Sequence, residues 1–273
     1  MKNKISGKIV ALLLTLIIVA TSGMPLYAKE TGDKANSFRY ENGQSIAKAV
    51  PFSTLSPNAW KKIDGKYYSG DGSVIEGAVA KGIDVSHHQG TVDWKKAKED
   101  GVEFAIIRCG FGMNQTKQDD AQWFNNVKGC EENNIPYGVY LYSYADTVKK
   151  AQSEAEHVLR LIKGHTLAYP VYYDIEEKAV LNKLTAEQLG KIAATFVNKV
   201  KAEGYQTGIY SNKSNFETFL TDSQFSQWNK WVAQYNSAAC TYKGTYQIWQ
   251  AADTGTIDGV NGAVDINFAM NTS

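Results

Sequence analysis

The sequence is poor in the residues that build disulfide frameworks and metal centres. It contains only three cysteines, Cys109, Cys130 and Cys240, too few and too scattered for a disulfide scaffold or a zinc site. Cys109 falls in an apolar strand and Cys130 in the helix that follows, which allows either a Cys109–Cys130 bridge or a pair of buried thiols. Four histidines occur without HExxH or any other ligand spacing, so neither a catalytic metal nor another cofactor is expected. An excess of one charge is also missing: 29 basic residues face 28 acidic ones, which leaves no electrostatic footprint for nucleic acid.

A membrane-spanning run is lacking as well. The apolar stretch Ile9–Ala20 has 12 residues, against the roughly 20 that a spanning helix needs. Lys2, Lys4 and Lys8 precede it, and Gly23, Pro25 and Ala28 follow, the pattern of a cleavable export signal over residues 1–28. No cysteine follows the run to take a lipid. Cleavage would remove three lysines and no acid, leaving 26 basic against 28 acidic residues, a secreted or wall-associated chain of net charge −2 with no stable membrane insertion.

What is present centres on Tyr169–Glu177, YPVYYDIEE, a short apolar strand ending in three carboxylates. Burying carboxylates at a strand end is costly unless they have work to do. Strand alternation points Asp174 and Glu176 the same way, with α-carbons about 6–7 Å apart. Cleavage of a glycosidic bond uses such a pair. One carboxyl stays protonated to serve the leaving oxygen, and another stays ionised to stabilise or attack the positive sugar carbon. By itself, however, an Asp-x-Glu triplet is more often a solvated turn or helix start.

Residues 29–56 are polar and aperiodic and read as a linker. Residues 57–80 form a short aromatic and glycine segment in which Asp64-Gly65 and Asp71-Gly72 signal hairpin turns. The stretch is either a small hairpin packed on the main domain or a single wall-polymer-binding unit. From Lys81 onward strands alternate with amphipathic helices. Candidate strands are Gly82–Ser86, Phe104–Gly110, Tyr137–Tyr144, Val171–Glu176, Thr207–Ser211, Trp231–Tyr235, Tyr246–Gln250 and Val264–Asn267. Trp123, Phe124, Val127 and Cys130 recur at helical spacing, and Thr185 with Gln188 reads as a capping box. Eight strands in under 200 residues predict a closed α/β barrel. Because the last connections are too short for helices, it should be an irregular TIM-like barrel of about five βα units followed by bare strands.

The strand ends, where barrel enzymes place their chemistry, carry Asp84, Tyr140/Tyr142/Tyr144, Asp174 with Glu176, Tyr210, Gln234 with Tyr235, Trp249 with Gln250, and Asp265. Acids converge there with aromatic and amide side chains, the groups that hold sugar rings. Of these, Tyr142, Tyr210, Trp231, Gln234, Tyr235 and Trp249 are the expected glycan contacts. Trp94 and Trp123 are expected in the core, and His87 and His88 either in a solvated loop, the favoured reading, or at the border of the cleft.

The combination GIDVSHHQGTVDW (Gly82–Trp94), YDIE (Tyr173–Glu176), IYSN (Ile209–Asn212), WVAQY (Trp231–Tyr235), IWQ (Ile248–Gln250) and VDIN (Val264–Asn267) resembles the glycoside hydrolase family 25 lysozymes, in family order from Lys81 to the C-terminus. The resemblance implies a flattened (β/α)5(β)3 barrel over 81–273. It also implies cleavage of the β-1,4 bond between N-acetylmuramic acid and N-acetylglucosamine in peptidoglycan. Glu176 would be the general acid, Asp174 its partner, and Asp84 and Asp265 the further acids of the site. Asp174 could act as direct nucleophile, as base for an inverting water, or as the residue that orients the substrate's own acetamido group; the resemblance favours the last. Two rivals remain. A chitinase-like barrel would place an aspartate where Tyr172 stands. A catalytically inactive, exported wall-glycan-binding protein would be expected to have lost one of the four acids. A monomer acting on peptidoglycan glycan strands is the expected form.

Overall fold

Two tight hairpins precede the barrel, each made by a two-residue turn of the kind that matches strand twist. The computed structural model describes residues 34–46 and 55–271, so the export signal read over 1–28 lies outside the described residues. In the first hairpin, β1 (Tyr40–Glu41) and β2 (Gln44–Ser45) pair around Asn42 and Gly43, with φ of 50° and 72°. In the second, β3 (Lys62–Ile63) and β4 (Lys66–Tyr67) pair around Asp64 and Gly65, with φ of 49° and 77°. Positive φ at both central residues defines the type I′ turn that Asn-Gly and Asp-Gly favour. The second hairpin packs on the barrel: Tyr67 is buried, its ring 5.7 Å from that of Phe268, and its hydroxyl donates to Val79 O at 3.1 Å.

The barrel strands are β5 (Ala78–Val85), β6 (Phe104–Phe111), β7 (Tyr137–Tyr142), β8 (Val171–Asp174), β9 (Thr207–Asn212), β10 (Asn229–Ala233), β11 (Ile248–Gly255) and β12 (Val264–Met270). They close in the order β10-β11-β12-β5-β6-β7-β8-β9. Neighbours are parallel except β12, which runs antiparallel to both β11 and β5. Between the first strands lie α1 (Trp94–Glu99), α2 (Trp123–Glu132), α3 (Val148–Ile162), α4 (Lys178–Leu181), α5 (Ala186–Ala202) and α6 (Lys213–Thr218), while the β10–β11 and β11–β12 connections carry no helix. This is the five-plus-three pattern expected from the spacing. The Thr185–Gln188 capping box starts α5 as read.

Two apolar layers hold the barrel. Between strands and helices sits the larger core, which includes Trp94, Trp123, Ile107, Val139 and Phe196. Inside the barrel a smaller aromatic cluster fills the lumen, with Trp231 touching the rings of Tyr140, Tyr172 and Tyr210 at centroid distances of 5.7, 5.4 and 4.3 Å. Some expectations were displaced. Phe124 is 66% exposed because its neighbour Trp123 takes the inward position on α2. The strand of the acidic motif stops at Asp174, so Glu176 stands beyond β8 and not within it. Cys109 and Cys130 are separate buried thiols.

Helix α3 buries an acid against the strand ends. Glu154, fully buried, accepts hydrogen bonds from Ser143 Oγ at 2.8 Å, Tyr173 Oη at 2.5 Å and Tyr144 N at 2.9 Å, tying the helix to the ends of β7 and β8. Burial outweighs those bonds and pushes its carboxyl up to about 7. The native state therefore holds this proton more tightly than the unfolded chain. The resulting stability is complete below the ordinary carboxylate range and is lost as pH rises through about 7. Glu154→Gln should flatten that slope. Between pH 4.5 and 8 the wild-type melting temperature should fall by roughly 5 °C more than the variant's, measured by calorimetry.

Candidate active site

The open end of the barrel gathers four carboxylates from three strand ends and one loop. Asp84 ends β5, Asp265 lies opposite it on β12 as its direct cross-strand partner, Asp174 ends β8, and Glu176 follows two residues later. All four are at least 95% buried and line one cleft with Tyr140, Tyr142, Tyr210 and Trp231.

Asp84 is the best-held of the four. Its Oδ2 accepts from Gln250 Nε2 and from Asn267 Nδ2, both at 2.7 Å. Each amide is fixed in turn by an aromatic donor. Gln250 Oε1 accepts from Tyr210 Oη at 2.8 Å and Tyr235 Oη at 2.6 Å, and Asn267 Oδ1 accepts from Trp231 Nε1 at 2.8 Å. These acceptor roles settle the orientation of both amides. Burial raises the carboxyls of Asp84 and Asp265 above the usual range, Arg39 opposes both shifts, and the Asp84 charge adds to the rise at Asp265.

The other two acids are held differently. Asp174 Oδ1 and Glu176 Oε2 are buried without a hydrogen-bond partner among the described residues. Burial raises Glu176 to about 8, with Asp265 and Glu177 adding to the rise and Arg39 opposing it. Burial also raises Asp174 well above the usual carboxylate range; Glu176 and Asp84 push the same way, and Arg108 and Arg39 oppose them. The third carboxylate of the motif, Glu177, has a structural task. It caps α4 through Ala179 N at 3.3 Å and accepts from Tyr142 Oη at 3.3 Å.

Of the expected glycan contacts, Tyr142, Tyr210 and Trp231 line the cleft, and Tyr235 stands at its edge, joined to Tyr210 through Gln250. Trp249 and Gln234 are placed elsewhere. The Trp249 ring packs in the outer core 6.1 Å from Phe268 and donates to Gln234 O, while the Gln234 side chain bonds Thr241. Alternation explains the first: Gln250 points inward, so its neighbour Trp249 points out. His88, expected in a solvated loop, lines the cleft in a short turn capped by Ser86.

Sequence reasoning passed over Arg108 and Arg39. Arg108 is a buried cation in the otherwise apolar strand β6 and pairs with Asp120 through Nε at 2.7 Å. Burial works against the Asp120 charge, but Arg108 and His87 hold its carboxyl down to about 2. Arg39 comes from the stretch read as linker, and its guanidinium grips Asp265 with two bonds of 2.7 Å. A lone arginine inside an apolar strand was a readable signal for the first, and the Asn42-Gly43 turn was one for the second. Among the described residues no group of His, Cys, Asp and Glu could hold a metal ion.

Comparison with known proteins gives the following. The model of the glycosyl hydrolases family 25 matches residues 83–260. The uncharacterized protein YegX of Escherichia coli K12 is 31% identical over 193 residues, 68% of each chain. An autolytic lysozyme of Clostridium acetobutylicum is 27% identical over 187 residues, 68% of this chain and 55% of that enzyme. Among solved structures, the modular autolysin LytC from Streptococcus pneumoniae, in complex with a synthetic peptidoglycan ligand, is similar with a TM-score of 0.67 and 31% identity. The likeness covers 77% of this chain and 52% of that one, so the chain spans about half the length of the autolysin.

Proposed function

This chain belongs to the glycosyl hydrolases family 25, and from that membership we propose that it is an exported lysozyme that hydrolyses the β-1,4 bond between N-acetylmuramic acid and N-acetylglucosamine in peptidoglycan. The observation that carries the reading is the pair of unpartnered carboxylate oxygens, Asp174 Oδ1 and Glu176 Oε2, in a buried cleft floored by Trp231. A buried acid with no protein partner is poised for a group that enters from outside.

In this reading Glu176, kept protonated near neutral pH by burial, gives its proton to the glycosidic oxygen. With the proton of the pair on Glu176, Asp174, whose charged form Arg108 favours, carries the negative charge, orients the acetamido group and stabilises the ring that the acetamido oxygen forms at the anomeric carbon. Asp84 and Asp265, cross-strand partners, fix the electrostatics of that face. Tyr142, Tyr210, Trp231 and Tyr235 contact the sugar.

The test is digestion of purified peptidoglycan with the exported chain, followed by borohydride reduction and mass spectrometry of the new ends. Reduced muramic acid ends are expected. Reduced glucosamine ends would reassign the bond, and wall binding without new ends would make the protein a glycan-binding relative that has lost catalysis.

A further inference from the structure

Part of the stretch read as linker lies in the cleft. Residues 34–46 form a small folded strap, turned at Asn42-Gly43 and braced by buried Ser37, whose Oγ accepts from Arg39 N and Tyr40 N, both at 3.0 Å. One end is fastened next to the motif: Asn36 N donates to Glu177 Oε2 at 2.8 Å, and Lys178 N donates to Asn36 O at 2.5 Å. At its centre Arg39 takes both oxygens of Asp265, with its guanidinium carbon 5.7 Å from the Tyr40 ring and 6.0 Å from the Tyr235 ring. Tyr40 stacks on His88 at 5.0 Å, and Phe38 lies against Tyr235 at 5.7 Å.

The strap thus covers the positions a glycan would use. Ala35, Arg39 and Tyr40 are themselves part of the cleft wall, and the space left is a cavity of about 30 Å³. That is room for one or two waters among these side chains. The charge pattern agrees, because Arg39 acts as counter-ion to Asp84, Asp174, Glu176 and Asp265 together. The family match spans residues 83–260, so the strap lies outside the matched region.

We propose that residues 34–46 are an autoinhibitory strap, bound in the glycan cleft through the Arg39–Asp265 pair, and that peptidoglycan is admitted only when the strap leaves. The inference rests on the lysozyme reading. A cleft that is open in only a fraction of molecules binds substrate with an affinity lowered by that fraction. Loosening the strap therefore raises activity, mainly through KM.

The experiment uses the full chain and soluble, uncrosslinked peptidoglycan glycan strands. Arg39→Ala is expected to raise kcat/KM by about tenfold or more, the gain for a strap closed in more than about nine of ten molecules. Tyr40→Ala, which keeps the ion pair and removes the His88 stacking, should shift it in the same direction by less. Hydrogen exchange supplies a second readout that needs no turnover. In Glu176→Gln the amides of Asn36, Arg39 and Tyr40 should be protected without glycan and should lose protection at saturating glycan. An unchanged or lowered kcat/KM in both strap variants, or protection that persists with glycan bound, would overturn the strap while leaving the lysozyme standing. Absence of new reducing ends from wild type and both strap variants would instead remove the lysozyme reading, and the strap as an inhibitor with it.

Discussion

Glu176→Gln is expected to lower kcat on soluble glycan strands by about 10²–10⁴-fold, the scale for loss of a general acid. The amide matches the carboxyl in shape but has no acidic proton to give. Because Glu176 Oε2 makes no hydrogen bond among the described residues, the substitution breaks no hydrogen bond at that oxygen and should leave the circular dichroism and melting temperature close to wild type. The pH dependence follows the same proton. With its carboxyl raised to about 8, Glu176 is protonated below that pH and ionised above it. Wild-type kcat should therefore fall on the alkaline side as pH passes about 8, and the residual rate of the variant should lack that limb. A loss below about tenfold would move the acid to another of the four carboxylates.

How much of this was legible in the residues can be argued position by position. Strand and helix order was readable because each strand is an apolar run bounded by turn residues, and because the short chain after β10 leaves no room for helices. The four acids were readable because carboxylates at the ends of apolar strands have no packing reason to be there. Side-chain facing was readable only where the strand ends were placed correctly. Trp249 was assigned to the rim from its position near a strand end, yet β11 runs on to Gly255, which puts Gln250 on the inner face and Trp249 on the outer one. Gln250 and Asn267 gained their importance from contacts across the barrel, with Asp84 166 and 183 residues away in sequence. No local pattern reports such pairings.

The stretch before residue 47 was the larger omission. Its composition is that of a linker, and low hydrophobicity correctly implies that it cannot build a core of its own. What composition misses is that a polar segment can be ordered by a partner surface that lacks countercharge. The cleft supplies four buried acids, and burying them together is costly without a cation nearby. Arg39 supplies it from the strap and Arg108 from the barrel wall. The two arginines differ in permanence. Arg108 is carried by a central strand, whereas Arg39 sits on a hairpin that contributes no barrel strand, so only Arg39 can be withdrawn without disturbing the fold.

Asp174→Ala is expected to lower kcat by about 10²–10³-fold, the cost of removing one preorganised group that stabilises the transition state. The residue is buried at a strand end and its Oδ1 is unpartnered among the described residues, so the lost charge is one aimed into the cleft. Burial, not Asp174, holds Glu176 in its protonated form, so the alkaline limb of the pH profile near 8 should persist in the variant. Added azide separates the possible roles. If the acetamido oxygen is the nucleophile, azide restores little, and glycan stripped of its N-acetyl groups is a poor substrate for wild type. Rescue by azide with a glycosyl azide product, together with full activity on the stripped glycan, would make Asp174 the direct nucleophile, since a small anion would then be replacing the very group that attacks the anomeric carbon.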